Sequence, residues 1–437
     1  MQIHQWNALG ALERQELLER PANRIGAKLR RTVDEIITRV RAEGDAALYA
    51  LTETLDGVRP ASLRVPASAI AEADARLPRA ALDALETAIA NVRRFHAEQL
   101  PRDIDVETMP GVRCQRVSHP LDAVGLYVPA GSAPLPSTAV MLAVPALLAG
   151  CPLRVLCTPP DRDGQADAAV LAVARRCGIE HVYTLGGAQA VAAMAYGTES
   201  VPKVHKIFGP GNAWVTAAKG AVADDPRGAA RDMPAGPSEV LVIADANADP
   251  RFVAADLLSQ AEHGPDSQVV LLTDSALLAE DVAAAVAEQA AQLSRRDTIA
   301  KALAASALIV VDTIDEAFTI SNDYAPEHLI LQLVDARGWL PRVRNAGSVF
   351  LGPWTPESIG DYCSGTNHVL PTYGHARTAS GLSVTDFMRQ MSVQELSADG
   401  LSALGPVART LSDLEGLDAH GEAVSLRLAE ITRRTFA

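Results

Sequence analysis

Three short stretches of the sequence combine residue types that can do chemistry. Ser259-Gln260-Ala261-Glu262-His263-Gly264-Pro265 closes an apolar run that begins near Phe252. Residues three apart on a helix are neighbours, so Gln260 and His263 can face one ion or ligand, and Gly264-Pro265 stops the helix where loops can reach that face. Asn322-Asp323-Tyr324-Ala325-Pro326-Glu327-His328 sets a carboxylate beside an imidazole just before a strand. Neutral imidazole is the natural proton acceptor near neutral pH, and a nearby carboxylate can activate water or tune that ring. Pro356 to His368 then offers Asp361 in a Gly-rich, polar setting, the anionic oxygen that metal sites combine with imidazole nitrogen. Each stretch also has a plainer reading: a capping histidine, a structurally satisfied histidine and an Asx turn.

Three loops between a strand and a helix can present backbone N–H groups to a phosphate or carboxylate: Pro129 to Thr138, Gly186-Gly187-Ala188-Gln189 and Gly209-Pro210-Gly211-Asn212. Glycine at such turns is also ordinary turn chemistry. No GxGxxG is present, because after Gly209 and Gly211 the next glycine is Gly220, so a dinucleotide would bind outside the usual fingerprint. Asp232 to Glu239 reads as a Pro/Gly hinge in which Ser238 can reach a ligand beside a cleft.

The elements that must position these residues follow from periodicity. Up to about residue 100 the pattern is helical, with Val33, Ile36, Ile37 and Val40 on one face and Leu82, Leu85, Ile89 and Val92 on another. From Ala123 short apolar runs alternate with Ala-rich helices, the signature of parallel βαβ units. A second such series begins at Glu239. The expected fold is α/β: two Rossmann-like parallel-sheet domains with a helical N-terminal extension and a small helical C-terminal tail. The expected division is 1–25, extension; 26–121, a helical part packing with the second α/β unit; 122–236, the first unit; 237–381, the second; and 382–437, the tail. Ligands of open parallel sheets sit at the carboxyl ends of the strands. The tail is too small for a core of its own and must pack on another domain or subunit.

With 437 residues and a formal net charge of -14, nucleic acid and anionic membranes are disfavoured as partners, and a cationic small substrate suits the chain better. Five scattered cysteines without a CxxC pair suggest free thiols in a reducing compartment. The first residues lack a basic region followed by an apolar core, so a cytoplasmic location is expected. Ala139 to Leu153 is too short to span a bilayer.

Seven motifs, in order, resemble histidinol dehydrogenases: Gly209 to Asn212, Asp232 to Glu239, Ser259 to Gln268, Pro326-Glu327-His328, Asn367 to Thr372, Ser380 to Val384 and Leu414 to His420. The resemblance implies an NAD-dependent, four-electron oxidation of L-histidinol to L-histidine through a bound aldehyde, with one zinc ion per subunit. It implies that Glu327 and His328 are catalytic, that Gln260, His263, Asp361 and His420 bind zinc, and that these four act with His328, Ser238 and Glu415 on the substrate. Tyr127, Gln189 and Asn212 match NAD-contacting positions. It further implies a homodimer whose tail crosses to the other subunit, bringing Glu415 and His420 into the neighbour's site. The rival readings are a metal-dependent hydrolase or lyase, an exported two-domain binding protein, and a thioester route through Cys114 or Cys151.

Overall fold

Short runs of β-branched and leucine residues bounded by turns form the strands Ala123–Tyr127, Glu239–Ala244, Gln268–Thr273, Ala307–Val310 and His328–Gln332, and every residue in them is buried. That is the environment of parallel strands covered on both faces. In the computed structural model, which describes residues 1–21, 26–130, 134–234 and 236–435, the strands are β1 (Gln2–Gln5), β2 (Ile104–Met109), β3 (Val112–Pro120), β4 (Ala123–Tyr127), β5 (Leu153–Thr158), β6 (His181–Thr184) and β7 (Lys206–Phe208). They continue with β8 (Ala230–Arg231), β9 (Glu239–Ala244), β10 (Gln268–Thr273), β11 (Ala307–Val310), β12 (His328–Gln332), β13 (Ser348–Leu351) and β14 (Met388–Leu396).

The first sheet runs β6-β5-β4-β7-β8 and the second β1-β11-β10-β9-β12-β13, with all pairs parallel. Setting β1 aside, both sheets follow one rule: the first strand of the series is central, the next two go to one side and the last two to the other. The connection reverses between β4 and β7 in one sheet and between β9 and β12 in the other, the switch points where doubly wound sheets open a crevice.

The chain divides into two compact units, Met1–Gln99 with Leu121–Phe387, and Leu100–Pro120 with Met388–Ala437. The α/β fold with parallel sheets is as expected, but several details are not. The N-terminal extension is not purely helical: Gln2–Gln5 forms an edge strand in register with Ala307 to Val310, a polar tetrapeptide with no apolar pattern to announce it. Within 26–121 the helices Ala27–Glu43 and Asp45–Leu55 pack on the first sheet, where Val33, Ile37, Leu48 and Leu51 share one apolar cluster with Val155, Val191 and Ile207. The rest of that stretch supplies β2 and β3. These pair antiparallel with β14, which occupies the tail where no strand was expected. The second unit consists of this three-stranded sheet and the helices Ala398–Glu415 and Asp418–Thr435, whose close approach leaves Gly405 against Val424 and Leu428. The apolar helix Pro136–Ala149 is a core element; among the described residues no helix is long and apolar enough to cross a membrane.

Candidate active site

Strands β9 and β12 begin at Glu239 and His328 and lie side by side, so the functional residues gather at the amino edge of the second sheet. The sequence reading looked to carboxyl ends; the cavity is lined by loops at the carboxyl ends of the first sheet and by residues at the amino edge of the second. The reason is the helix Pro250–Ala261. A crossover helix runs back against its strands, so its last turn carries Gln260 to the amino edge. His263 follows in the closing turn, its N–H donating to the Gln260 carbonyl at 3.1 Å. Asp361 comes from the short helix Glu357–Tyr362 rather than from a loop.

These side chains line one cavity of about 410 Å³. Gln260, His263, Glu327, His328, Asp361 and Ser238 form its wall on the second-sheet side, and Thr138 and Asn212 face them from the first. Glu327 Oε2 accepts from the Glu239 N–H at 2.9 Å and lies 3.5 Å from His328 Nδ1. His328 Nδ1 is 3.1 Å from the Glu239 carbonyl and 2.8 Å from Gln260 Nε2, while its Nε2 is 3.5 Å from Asp361 Oδ1. Gln260 Nε2 donates to Glu357 Oε1. Three buried atoms here have no hydrogen-bond partner: Gln260 Oε1, Glu357 Oε2 and His328 Nε2.

Orphaned buried polar atoms are rare because each costs the desolvation of a lone pair or proton; three in one place call for a ligand. One ligand atom from each of His263, Glu357 and Asp361 lies within 4.8 Å of the others. Imidazole nitrogen with carboxylate and amide oxygen is a donor set that suits zinc and similar borderline cations. The electrostatics agree. Burial pushes the Glu327 and Glu357 carboxyls up. Burial also works against a charged His328, yet the surrounding Glu357, Glu327 and Asp361 carboxylates outweigh it and raise the ring well above its ordinary value. Burial likewise opposes ionisation of Asp361, and its pairing with the His328 ring 3.5 Å away more than offsets that and lowers it. His263, solvent-accessible at the cavity wall but closely surrounded by protein, is lowered mainly by desolvation. The pocket is thus poised to accept positive charge.

The family model for histidinol dehydrogenase matches residues 18–428. The chain is 57% identical over 430 residues to the histidinol dehydrogenase of Vibrio vulnificus (strain YJ016), covering 98% of this chain and 99% of that one. It is 56% identical over 428 residues to that of Xanthomonas axonopodis pv. citri (strain 306), with coverage of 98% and 99%. The chain belongs to the histidinol dehydrogenase family. The crystal structure of histidinol dehydrogenase from Elizabethkingia anophelis aligns with a TM-score of 0.93 at 43% identity, covering 99% of this chain and 98% of that one. Membership of the histidinol dehydrogenase family makes this chain an oxidoreductase.

Of the residues expected at a histidinol dehydrogenase site, seven therefore meet in one cavity: Asn212, Ser238, Gln260, His263, Glu327, His328 and Asp361. Glu415 ends one helix of the second unit and His420 begins the other; both are exposed, and neither is among the lining residues. Sequence reasoning missed two participants. Glu357 stands four residues before Asp361, a spacing that puts both carboxylates on one helical face, but the Gly-rich surroundings made the segment read as a loop. His368 lines the cavity, with Nδ1 2.8 Å from the Asp361 carbonyl and Nε2 3.3 Å from Thr138 Oγ1.

The expected cofactor residues lie at the carboxyl edge of the first sheet. Tyr127 ends β4; its hydroxyl accepts from the Gly187 N–H at 3.0 Å, and burial pushes it up to about 12. Gln189 is buried, with Nε2 3.5 Å from Asp56 Oδ2 and Oε1 unpartnered. Asn212 caps the helix Ala213–Asp224, Oδ1 accepting from the Trp214 and Val215 N–H groups at 3.1 and 3.2 Å. Of these three, Asn212 lines the cavity, whereas Tyr127 and Gln189 are buried behind it and are not among its lining residues. The middle of the loop after β4, Gly131-Ser132-Ala133, lies outside the described residues, as does Ala235 of the hinge. Cys151 does not suit a thioester route: burial pushes its thiol up to about 11, and it is not among the residues that line the cavity.

Proposed function

We propose that this chain performs the last two oxidations of histidine biosynthesis, converting L-histidinol to L-histidine through a bound aldehyde with two molecules of NAD. The observation that carries this reading is the meeting of Glu327 and His328 with Gln260, His263 and Asp361 in one cavity, with Glu357 behind Gln260 and within ligand-atom reach of His263 and Asp361. When bound, NAD would supply the hydride acceptor for each oxidation and zinc a template for the substrate. Gln260, His263 and Asp361 would hold that ion together with His420 of the partner subunit.

His328 takes the proton of the alcohol at Nε2, the ring nitrogen with no protein partner, while the carbinol carbon gives up its hydride. Nδ1 stays engaged with the Glu239 carbonyl, which keeps the ring's plane fixed and orients the proton transfer. Glu327 then draws a proton from a water that attacks the aldehyde, and His328 serves again as base when the hydrate loses the second hydride. Positive charge in the pocket lowers the proton affinity that the carboxylates give His328, releasing it as a base. Glu415 of the partner subunit hydrogen-bonds the substrate imidazole and sets the orientation of the carbinol.

The protein acts as a homodimer on this reading. The exposed Val407, Leu411 and Leu414, spaced i, i+4, i+7 on the helix Ala398–Glu415, support it, since an uncovered apolar stripe of this kind suits an interface. The test is the yield of reduced nicotinamide per histidinol consumed, together with metal content, for the wild type, His328→Asn and His263→Asn. Two per histidinol in the wild type, with loss of turnover in His328→Asn and of bound metal in His263→Asn, is expected. One per histidinol, or full activity without metal, would overturn the reading.

A further inference from the structure

The Glu239 side chain takes no part in the chemistry above, yet the residue's main chain touches both Glu327 and His328. Its N–H donates to Glu327 Oε2 at 2.9 Å, and its carbonyl is 3.1 Å from His328 Nδ1. One residue at the start of β9 therefore holds both members of the proposed catalytic pair through its main chain. Its own carboxylate is 2% exposed and faces away from them into a cage. There it accepts from Arg20 Nε and, at 3.2 Å, from Arg20 Nη2, from the Tyr324 hydroxyl at 3.2 Å and from the Tyr373 N–H at 3.1 Å.

Arg20 belongs to the N-terminal extension, 219 residues earlier in the chain. Its guanidinium stacks 3.8 Å from the centroid of the Tyr324 ring, and Nη2 donates to the Tyr324 carbonyl at 2.7 Å. A carboxylate this deep is tolerated only if paired, and a planar fork offers the bidentate match that an ammonium lacks.

An independent observation marks the same place. Among the described residues, two that are not glycine have positive φ: Ala325 at 52° and Tyr373 at 56°. Side chains disfavour this conformation, and the cost is sustained where the surroundings enforce it, commonly at functional sites. Both residues belong to this network. Tyr373 turns its N–H onto the Glu239 carboxylate, and Ala325 lies between Tyr324 and Pro326-Glu327-His328, with its carbonyl 3.4 Å from Arg20 Nη2. The two strained turns and the ion pair clamp the start of β9 against the start of β12 from behind.

We propose that Arg20 is a positioning residue for the reaction: its pairing with Glu239 fixes the backbone that seats Glu327 and His328. This rests on the catalytic roles proposed for those two. The experiment compares kcat, KM and melting temperature for Arg20→Ala, Arg20→Lys and the double variant Arg20→Met/Glu239→Met, which removes both charges and keeps the volume filled. Expected are a kcat lowered about 10- to 100-fold in Arg20→Ala with KM changed less than about threefold. Partial recovery of kcat on adding millimolar guanidinium is expected there, together with poor recovery in Arg20→Lys. If Arg20→Ala does not fold, the double variant decides: a folded protein with kcat still lowered supports the proposal, and wild-type kcat overturns it. Wild-type kcat in Arg20→Ala, or a loss that guanidinium leaves unchanged, also overturns it. His328→Asn run in parallel separates the two ideas: if it stays active, the catalytic reading falls, whereas an inactive His328→Asn beside a fully active Arg20→Ala removes the positioning role alone.

Discussion

Asp256 sits one helical turn before Gln260, buried, with Gln332 Nε2 donating to its Oδ2 at 3.2 Å. That single hydrogen bond does not match the cost of burial, which pushes the carboxyl from 3.8 up to about 6. Below the ordinary carboxylate value both the folded and unfolded chains hold the proton, and no cost arises. As pH rises from there to about 6 the unfolded chain releases it first, so stability falls, and above about 6 the full cost of a buried charge is present. Asp256→Asn keeps an acceptor for Gln332 and removes that charge. In metal-free protein it is expected to raise stability by about 2 to 3 kcal/mol at pH 7.5 and by nothing near pH 3.5, as thermal melts across that range would measure. At this scale the sequence was legible where function depends on neighbours in the chain. Glu327-His328 and the Gln260, His263 pair announced themselves by adjacency and helical spacing. Glu239 and Arg20 did not, because a buried ion pair across 219 residues leaves no local pattern.

Among the elements, the turn after β7 shows what the glycine-rich loops do. Gly209 has φ of 120°, and a Cβ there would stand 2.1 Å from the Tyr127 carbonyl oxygen. Its N–H donates to Asp232 Oδ2 at 2.8 Å and its carbonyl accepts from Lys219 Nζ at 2.9 Å, while Lys219 and Asp232 pair with each other. Asp232, read from sequence as part of a linker, is the brace of this turn. Gly209→Ala is expected to destabilise the protein by at least about 2 kcal/mol in denaturant titration and, by moving the ends of β4 and β7 apart, to weaken dinucleotide binding measured by calorimetry. The βαβ alternation was readable because buried parallel strands are nearly all apolar. β2 and β14 were not read because most of their residues are exposed in the chain. The alternation of Ile104 and Val106 with Asp105 and Glu107 was the available signal for β2, and an extended helical pattern upstream masked it.

On the scale of the molecule, the two sheets meet the cavity with opposite ends, carboxyl edge on one side and amino edge on the other. Turns able to hold phosphate groups thus face side chains able to move protons. If the tail completes a neighbour's site as proposed, two inactive variants complement one another. Mixed after reversible dissociation, Glu327→Gln and His420→Asn subunits should form hybrid dimers in which one site is wholly wild type, giving about a quarter of wild-type activity at equal input. No recovery would mean that each chain builds its site alone. The sequence could place the tail's motif but not its destination, since nothing local in Leu414 to His420 says which copy of the fold it faces.

The strand Gln2–Gln5 also has a bearing on solubility. Without it the rim of the larger sheet would be β11, Ala307–Val310, whose four residues are all buried: a bare apolar edge of the kind that recruits strands from other molecules into aggregates. The mostly exposed, polar β1 covers that edge and offers its own poorly adhesive side to solvent. The same short segment that leads to Arg20 thus acts as a hem, closing the sheet against unwanted growth.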